Sequence, residues 1–380
     1  MDLQGLIDLF AANFEQSGEL GASLSIRHNG EEILSLAGGH TDREKTSPWT
    51  KETPVLIWSA TKALASACLI HAAFAHGISL DRKVVEFWPQ YWENGKSNTT
   101  LLHLLTHQAG QPALRDPSVS ILDHDGVADQ LARQAPFWSP GEAHGYHPRT
   151  YGFLVDEVIR RITGGTPAGR YFRTVFGDPL DLNLWIGVPE SIVNDVAPIF
   201  APRNSRAPDS EAPFYAALSD PASLTRKAFS TPTGLHAPSQ MNDAKIRRHS
   251  IPSLGGIGTA AALARFYETL YTDEILPSET VRRISQTVCS GKDRVLQVET
   301  AFGTGFMKDP VNANAKIRAI FGPGLSAFGQ PGSGGSLGFC DPETGIAFGY
   351  VMNQMEPGVF PNAKSLRLVK YLYEQTGVIR

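Results

Sequence analysis

The residues best suited to chemistry form the tetrapeptide Ser59-Ala60-Thr61-Lys62. A chain of this composition contains about one serine followed by lysine three positions later by chance, so the motif alone carries little weight. Its position is more informative, because it opens the segment 61–75, which is apolar on nearly every face and therefore predicts a buried helix. Ser59 and Lys62 then lie one turn apart on the same face.

Burial of this helix would change the chemistry of Lys62. Loss of water and the positive end of the helix both oppose a charged amine and lower its pKa, so the side chain can act as a base near neutral pH. Ser59, within reach of that base, can become a nucleophile. The alternative is that Ser59 caps the helix and Lys62 extends its charged end into solvent. The motif by itself leaves both open.

A second cluster, Tyr146-His147-Pro148-Arg149-Thr150-Tyr151-Gly152, leads into another predicted helix. A tyrosine just outside a helix start can place its hydroxyl in a cleft and, beside a lysine, transfer a proton. Tyr146 and Tyr151 are both candidates. Either phenol can instead be a core side chain with a satisfied hydroxyl.

The third cluster is Gly329-Gln330-Pro331-Gly332-Ser333-Gly334-Gly335-Ser336, which runs directly into a predicted strand. Such a density of glycine lets a substrate carbonyl approach main-chain N–H groups closely. The segment can therefore supply a donor to an oxyanion. The alternative is a glycine-rich turn between two elements.

Secondary-structure patterns at the two chain ends mirror each other. Asn29-Gly30 favours a tight hairpin turn between two strands, and a second hairpin lies near the C-terminus. The predicted elements are a helix over Met1–Phe10, strands Ala22–Arg27, Glu32–Leu36, Ser336–Cys340 and Ile346–Met352, and a helix Asn362–Glu374. Because short hairpins cannot bury their faces alone, we expect one antiparallel sheet, formed from both chain ends and flanked by the terminal helices.

The middle of the chain is predicted to be mostly helical. Expected helices are Thr61–Ala75, Leu101–His107, Tyr151–Ile162 and Pro167–Val175, and Ala260–Tyr271 then returns the chain to the sheet. The fold class is therefore α/β (α+β), with a sheet domain from residues 1–76 and 251–380 and an inserted helical domain from 77–250. Residues 202–250 lack clear periodicity, which is typical of a surface loop or a lid over a site.

Composition favours a small-molecule function. The 380 residues carry 34 basic and 38 acidic side chains, so the net charge of −4 offers no electrostatic footprint for nucleic acid. Three widely spaced cysteines predict neither disulfides nor a zinc site, and no stretch predicts a membrane span. Since Met1–Phe10 also lacks the pattern of a signal peptide, we expect a cytoplasmic protein that needs no metal or cofactor. The oligomeric state is left open.

Taken together and in this order, the three clusters resemble the serine β-lactamase and penicillin-binding-protein superfamily, especially class C β-lactamases and family VIII carboxylesterases. Leu104–Gly110 is similar to the family's L-L-x-H-x-S-G segment, and Pro252–Gly256 before a helix adds support. The family fold is a helical domain beside an antiparallel sheet flanked by terminal helices, in agreement with the organisation predicted above.

The resemblance implies a role for each matching residue. Ser59 is the expected nucleophile, Lys62 its base and Tyr146 the proton shuttle to the leaving group, with Gly152 at the spacing the family shows. Tyr151 then becomes a structural residue.

The glycine-rich cluster matches the family's K-T-G motif at Gln330-Pro331-Gly332. The backbone N–H of Ser333 would pair with that of Ser59 as the oxyanion hole, and Gln330, Gly332 and Ser333 would contact the substrate.

Two departures from the family pattern bear on the substrate. Gln330 replaces the lysine that helps to bind the carboxylate of a β-lactam, and Pro148 replaces the asparagine that contacts the substrate amide. Both losses favour a small ester without a carboxylate. The expected activity is thus that of a serine carboxylesterase, with a β-lactamase or D,D-peptidase, an acyltransferase and a non-catalytic binding relative as alternatives.

Three other motifs suggest different chemistry. Gly334–Gly338 fits the G-x-S-x-G of α/β-hydrolases, but no histidine follows His249 to complete a triad. Gly256–Ala261 fits a dinucleotide fingerprint without the repeating strand-helix-strand pattern that it needs. His103 and His107 are spaced to share a metal on one helical face, but lack an obvious third ligand. We expect structural roles for all three.

Overall fold

An eight-stranded antiparallel sheet forms the centre of the computed structural model, which describes residues 3–203, 206, 208–272, 274–313, 315–361 and 363–375. In spatial order its strands are β2 (Glu31–Gly39), β1 (Gly21–His28), β13 (Ile346–Met352), β12 (Leu337–Asp341), β11 (Phe328–Pro331), β8 (Met307–Lys308), β7 (Glu299–Phe302) and β6 (Cys289–Lys292). The predicted fold class is confirmed.

Both chain ends contribute to this sheet, as predicted. Strand β1 pairs on one side with β2 and on the other with β13, in a register that sets Ala22 opposite Met352. Asn29 and Gly30 adopt φ angles of 51° and 92°, the left-handed conformation that their types favour in a tight hairpin.

The two faces of the sheet bind different helices. Gly349 on β13 packs against α10 (Ala260–Thr269), where an added Cβ would lie 2.2 Å from the carbonyl oxygen of Ala260. On the opposite face, the Tyr350 hydroxyl donates to Glu19, just beyond α1 (Gln4–Gln16), at 2.6 Å. Helix α12 (Ala363–Gln375) packs beside α1; Asn362, where this helix was predicted to begin, lies outside the described residues.

Two of the predicted internal helices have the bounds that the sequence indicates, α2 (Thr61–Ala75) and α5 (Tyr151–Ile162). Helix α3 (Leu101–Leu105) ends early, because His107 takes a left-handed φ of 58°. Helix α6 is shorter than predicted (Ala168–Phe172) and continues as a turn of π-helix, and α10 ends two residues before the predicted Tyr271. Within the described ranges, the remaining α-helices outside 202–250 are α4 (His124–Arg133) and α11 (Ser278–Ser285).

Residues 202–250 contain more regular structure than their composition indicates. They include α7 (Ala212–Ser219), α8 (Leu224–Ser230), α9 (Ala244–Arg248) and two short 3-10 helices. The Ser223 side chain accepts from the Arg226 N–H and Asp243 accepts from the Lys245 N–H, so side-chain caps begin two of these helices. A covering role for this segment stays a prediction.

A second, three-stranded sheet was not predicted. It contains β3 (Val55–Trp58), β5 (Gly256–Gly258) and β4 (Leu184–Ile186), with β5 in the middle. A further hairpin joins β9 (Val311–Asn312) to β10 (Ala315–Lys316). The small sheet matters for the site, because β3 leads directly into α2.

In the part of the chain that the structure describes, none of the helices has both the length and the apolar character that crossing a bilayer requires.

The contact between β13 and α10 predicts a specific sensitivity. We expect Gly349→Ala to lower the free energy of unfolding by about 1–3 kcal/mol, because the new methyl group would overlap the α10 backbone. Urea unfolding followed by circular dichroism measures the change. Gly77→Asn is the control, since no atom lies within 4 Å of a Cβ there and asparagine tolerates its φ of 64°. Equal stability of the Gly349→Ala variant and the original chain would contradict this description of the packing.

Candidate active site

Ser59 lies at the corner between β3 and α2. The residue before it, Trp58, has a φ of 49°, a strained conformation for an aromatic side chain. The hydroxyl of Thr61 holds this corner, because it donates to the Trp58 carbonyl and accepts from the Gly256 N–H at 2.7 Å. The small sheet therefore fixes the backbone that presents Ser59.

Lys62 is buried, with 1% of its surface exposed. Its Nζ lies 3.2 Å from Ser59 Oγ, 2.9 Å from the Pro148 carbonyl oxygen and 2.7 Å from the Ser253 carbonyl oxygen. Among the described residues, no carboxylate lies within 4 Å of this amine. The structure does not show the alternative arrangement, in which Ser59 caps the helix and Lys62 extends into solvent, because α2 has no side-chain cap and Lys62 is buried.

These surroundings favour an uncharged amine. Burial lowers the pKa of Lys62 well below its usual 10.5, and the nearby Arg149 lowers it further. A neutral amine has two N–H bonds and one lone pair. The two carbonyl oxygens accept only, so they take the two N–H bonds and leave the lone pair for the Ser59 hydroxyl. The geometry suits removal of the serine proton.

Tyr146 faces the same amine. Its ring centroid lies 4.9 Å from Lys62 Nζ, and Gln330 Nε2 donates to its hydroxyl at 3.4 Å. Burial raises the pKa of the Tyr146 phenol, although an interaction with Ser59 opposes the shift, so the resting side chain is protonated. The rival Tyr151 lies elsewhere, with its hydroxyl 2.6 Å from Ser66 Oγ.

The glycine-rich segment passes close to the corner at Ser59. A Cβ on Gly332 would lie 2.2 Å from the Ile57 carbonyl oxygen, so this approach requires glycine. Gly332 donates its N–H to Ser336 at 2.8 Å, whereas the N–H groups of Ser59 and Ser333 have no acceptor within the described ranges. Two main-chain donors are thus available to a ligand.

Ser253 and Arg149 also contribute to the site, although no role was predicted for either residue. Ser253 Oγ donates to the Arg149 carbonyl and accepts from the Gly152 N–H, both at 2.7 Å. A Cβ on Gly152 would lie 2.4 Å from the Ser253 nitrogen, which explains the glycine at this spacing. The only sequence signal for Ser253 was its place in the segment Pro252–Gly256.

Asp293 had no sequence signal at all, and its two carboxylate oxygens accept from the Tyr146 N–H.

The competing motifs take structural roles. Gly256–Gly258 is itself a strand rather than a phosphate-binding turn, and Ser336 precedes the strand β12 rather than a helix. His103 Nδ1 accepts from a backbone N–H, as does Nδ1 of His107.

A cavity of about 1160 Å³ lies near the glycine-rich segment. Arg318, Met355 and Phe360 are among its lining residues, whereas Ser59, Lys62 and Tyr146 are not. The Met355 side chain packs against Gly334, and the Glu356 N–H donates to the Gly334 carbonyl at 3.1 Å. Met355 therefore lines the cavity and also contacts Gly334, the residue that follows Ser333.

An antiparallel sheet with terminal helices on one face and a serine–lysine pair at the start of a buried helix defines the fold of β-lactamases and related serine hydrolases. The model of the Beta-lactamase family matches residues 6–371, and the chain belongs to this family.

Similar proteins include both esterases and penicillin-binding-protein homologues. The chain is 29% identical over 363 residues to "Esterase/beta-lactamase LipL" of Mycobacterium tuberculosis, an alignment that covers 92% of this chain and 81% of LipL. A penicillin-binding protein homologue from Caulobacter crescentus superposes with a TM-score of 0.85 and 32% identity, with 98% of both chains covered. A family VIII carboxylesterase has a TM-score of 0.85 and 29% identity, covering 98% of this chain and 97% of its own.

The low pKa of Lys62 predicts the pH dependence of a reaction that uses it as a base. Below this pKa the amine is protonated and cannot accept the Ser59 proton, so kcat/KM falls as pH falls through it. Because burial lowers the pKa of Lys62, we expect this decline well below pH 10.5. Initial rates on a p-nitrophenyl ester across pH measure it.

Lys62→Arg is the matched test of this interpretation. Arginine keeps the positive charge at every accessible pH, so we expect kcat/KM to fall by at least about 100-fold throughout the profile. Circular dichroism and the melting temperature establish that the variant is folded. A folded Lys62→Arg protein with the original profile would show that this amine is not the base.

Proposed function

We propose that the protein is a serine carboxylesterase that cleaves small carboxylic esters through an acyl-enzyme on Ser59. One observation carries the proposal: the Lys62 amine is buried between two carbonyl oxygens, and its third neighbour is Ser59 Oγ. This arrangement supports a neutral base beside a potential nucleophile.

In the proposed acylation step, Ser59 Oγ attacks the ester carbonyl and Lys62 accepts its proton. The N–H groups of Ser59 and Ser333 bind the resulting oxyanion. As the bond to the alcohol breaks, Tyr146 donates its proton to the leaving oxygen and is reprotonated from Lys62. Water then attacks the acyl-enzyme with the same groups acting in reverse, which releases the acid and restores Ser59.

The environment of Gln330 supports an ester over a β-lactam. Its amide is neutral and donates to the Tyr146 hydroxyl and to the Pro331 carbonyl at 3.4 and 3.3 Å, so it offers no cation to a substrate carboxylate. The carbonyl of Pro148 binds Lys62, and proline lacks the side-chain amide that the family's asparagine supplies. We propose that Gln330, Gly332 and Ser333 contact the substrate.

A β-lactamase or peptidase remains the second candidate, because the same three side chains would serve it and LipL carries both activities in its name. An acyltransferase would use the same acyl-enzyme with an alcohol or amine in place of water. The convergence of Ser59, Lys62 and Tyr146 argues against a non-catalytic relative.

Removal of the nucleophile tests the proposal directly. We expect Ser59→Ala to abolish hydrolysis of a short-chain p-nitrophenyl ester, because no other side chain is proposed to form the acyl-enzyme. Intact-protein mass spectrometry of the original chain should reveal an acyl adduct that peptide mapping assigns to Ser59. Ser66→Ala, which changes a buried serine bonded to Tyr151, is the control. Full activity of Ser59→Ala would refute the assignment.

The substrate class has a separate test. We expect kcat/KM for nitrocefin to be well below that for the p-nitrophenyl ester, and Gln330→Lys to raise the nitrocefin-to-ester ratio by supplying a cation. Because the ratio is compared, a general loss of activity does not obscure the result. Comparable turnover of both substrates by the original chain would contradict the role proposed for Gln330. Faster transfer to an added alcohol than to water would indicate an acyltransferase.

A further inference from the structure

Tyr146 lies outside regular secondary structure, in the stretch that precedes α5. More distant residues must therefore hold its backbone. The N–H groups of Gly145 and His147 donate to His107, at its carbonyl oxygen (3.1 Å) and its Nδ1 (3.0 Å). Between them, the N–H of Tyr146 donates to both carboxylate oxygens of Asp293, each 3.0 Å away.

Asp293 begins the turn between β6 and β7 and is fully buried. Its Oδ1 accepts from the N–H groups of Val295 and Leu296, both at 2.8 Å, and its Oδ2 accepts from the Thr300 hydroxyl at 3.0 Å. One carboxylate therefore closes its own turn and binds Tyr146. A movement of that turn would be transmitted to the tyrosine.

Among the residues described, no cationic side-chain nitrogen lies within 4 Å of the Asp293 carboxylate oxygens. A buried carboxylate is costly unless hydrogen bonds replace its lost water, and here three backbone N–H groups and one hydroxyl do so. Hydrogen bonds to a charged acceptor are stronger than those between neutral groups. The Tyr146 backbone is consequently held more firmly than a neutral acceptor would hold it.

From these contacts we infer that Asp293 is a positioning residue for acid catalysis, which holds the Tyr146 backbone so that the phenol meets the leaving oxygen of the substrate. The inference rests on the proposed function, in which Tyr146 protonates that oxygen. Asp293 itself touches neither the substrate nor the reacting atoms. Its loss should therefore impair proton donation selectively rather than every step of the reaction.

The dependence on the leaving group distinguishes this role from general support of the fold. A p-nitrophenolate leaves readily without a proton, whereas the more basic phenolate of a phenyl ester needs one. We expect Asp293→Asn to lower kcat/KM for the phenyl ester about tenfold more than for the p-nitrophenyl ester of the same acid, since one charged acceptor becomes neutral. Tyr146→Phe should show the same selectivity more strongly.

Asp309→Asn is the matched control. Asp309 is also buried and accepts from two backbone N–H groups, those of Ile320 and Phe321 at 2.9 and 3.1 Å. It differs from Asp293 in that it also pairs with Lys316 at 2.9 Å, and it does not contact Tyr146. We expect no leaving-group selectivity in this variant. Equal losses on both esters in Asp293→Asn, or the same selectivity in Asp309→Asn, would overturn the inference.

A double variant tests the coupling. In the Tyr146→Phe background, Asp293→Asn should add no further selectivity, because the phenol it positions is gone. If Asp293→Asn does not fold, as judged by circular dichroism, Thr300→Val is the second variant. It removes a single donor to the carboxylate and should give a smaller leaving-group selectivity of the same kind; a Thr300→Val protein without that selectivity would also overturn the inference.

Two outcomes separate this role from the proposed function. Full activity of Ser59→Ala refutes the proposed function, whereas an inactive Ser59→Ala with an unselective Asp293→Asn refutes the role of Asp293 alone.

Discussion

The burial of Lys62 without a counter-ion is the constraint on which the rest of the site depends. A charged amine in this place would face a large desolvation penalty, and the protein supplies carbonyl oxygens rather than a carboxylate to receive it. The helix around it is apolar on nearly all sides, the preceding corner is strained at Trp58, and glycines bring neighbouring chains close. The strained corner and the buried amine cost stability locally, whereas burial of the apolar helix stabilises the fold. Together these features favour an uncharged amine beside Ser59.

Polar groups around the site are held mainly by backbone contacts. Ser253 ties the chain at Arg149 to that at Gly152, while Asp293 ties the turn after β6 to Tyr146. In both cases a short polar side chain accepts from or donates to the main chain, so the site's geometry depends on loops being fixed relative to one another.

Local signals in the sequence predicted the parts of the fold that depend on local interactions. The Asn29-Gly30 turn and the apolar helix over 61–75 follow from a few neighbouring residues, and both were confirmed. The small sheet was missed because its central strand, Gly256–Gly258, has the composition of a turn and exists only through its neighbours. Asp293 was missed for a related reason: the N–H it binds lies 147 positions away, and no local pattern marks such a contact.

The two carbonyl oxygens that accept from Lys62 belong to later parts of the chain, so the site forms late in synthesis. Pro148 and Ser253 lie 86 and 191 positions beyond the lysine along the chain. During synthesis, a chain that already carries Ser59 and Lys62 therefore has an ordinary serine beside a solvated, protonated lysine. The environment that lowers the pKa of Lys62 forms only after the segment around Ser253 has been synthesised and has packed against the helix. In the function proposed above, Ser59 therefore gains its base only when folding is complete, and an unfinished chain does not form the acyl-enzyme.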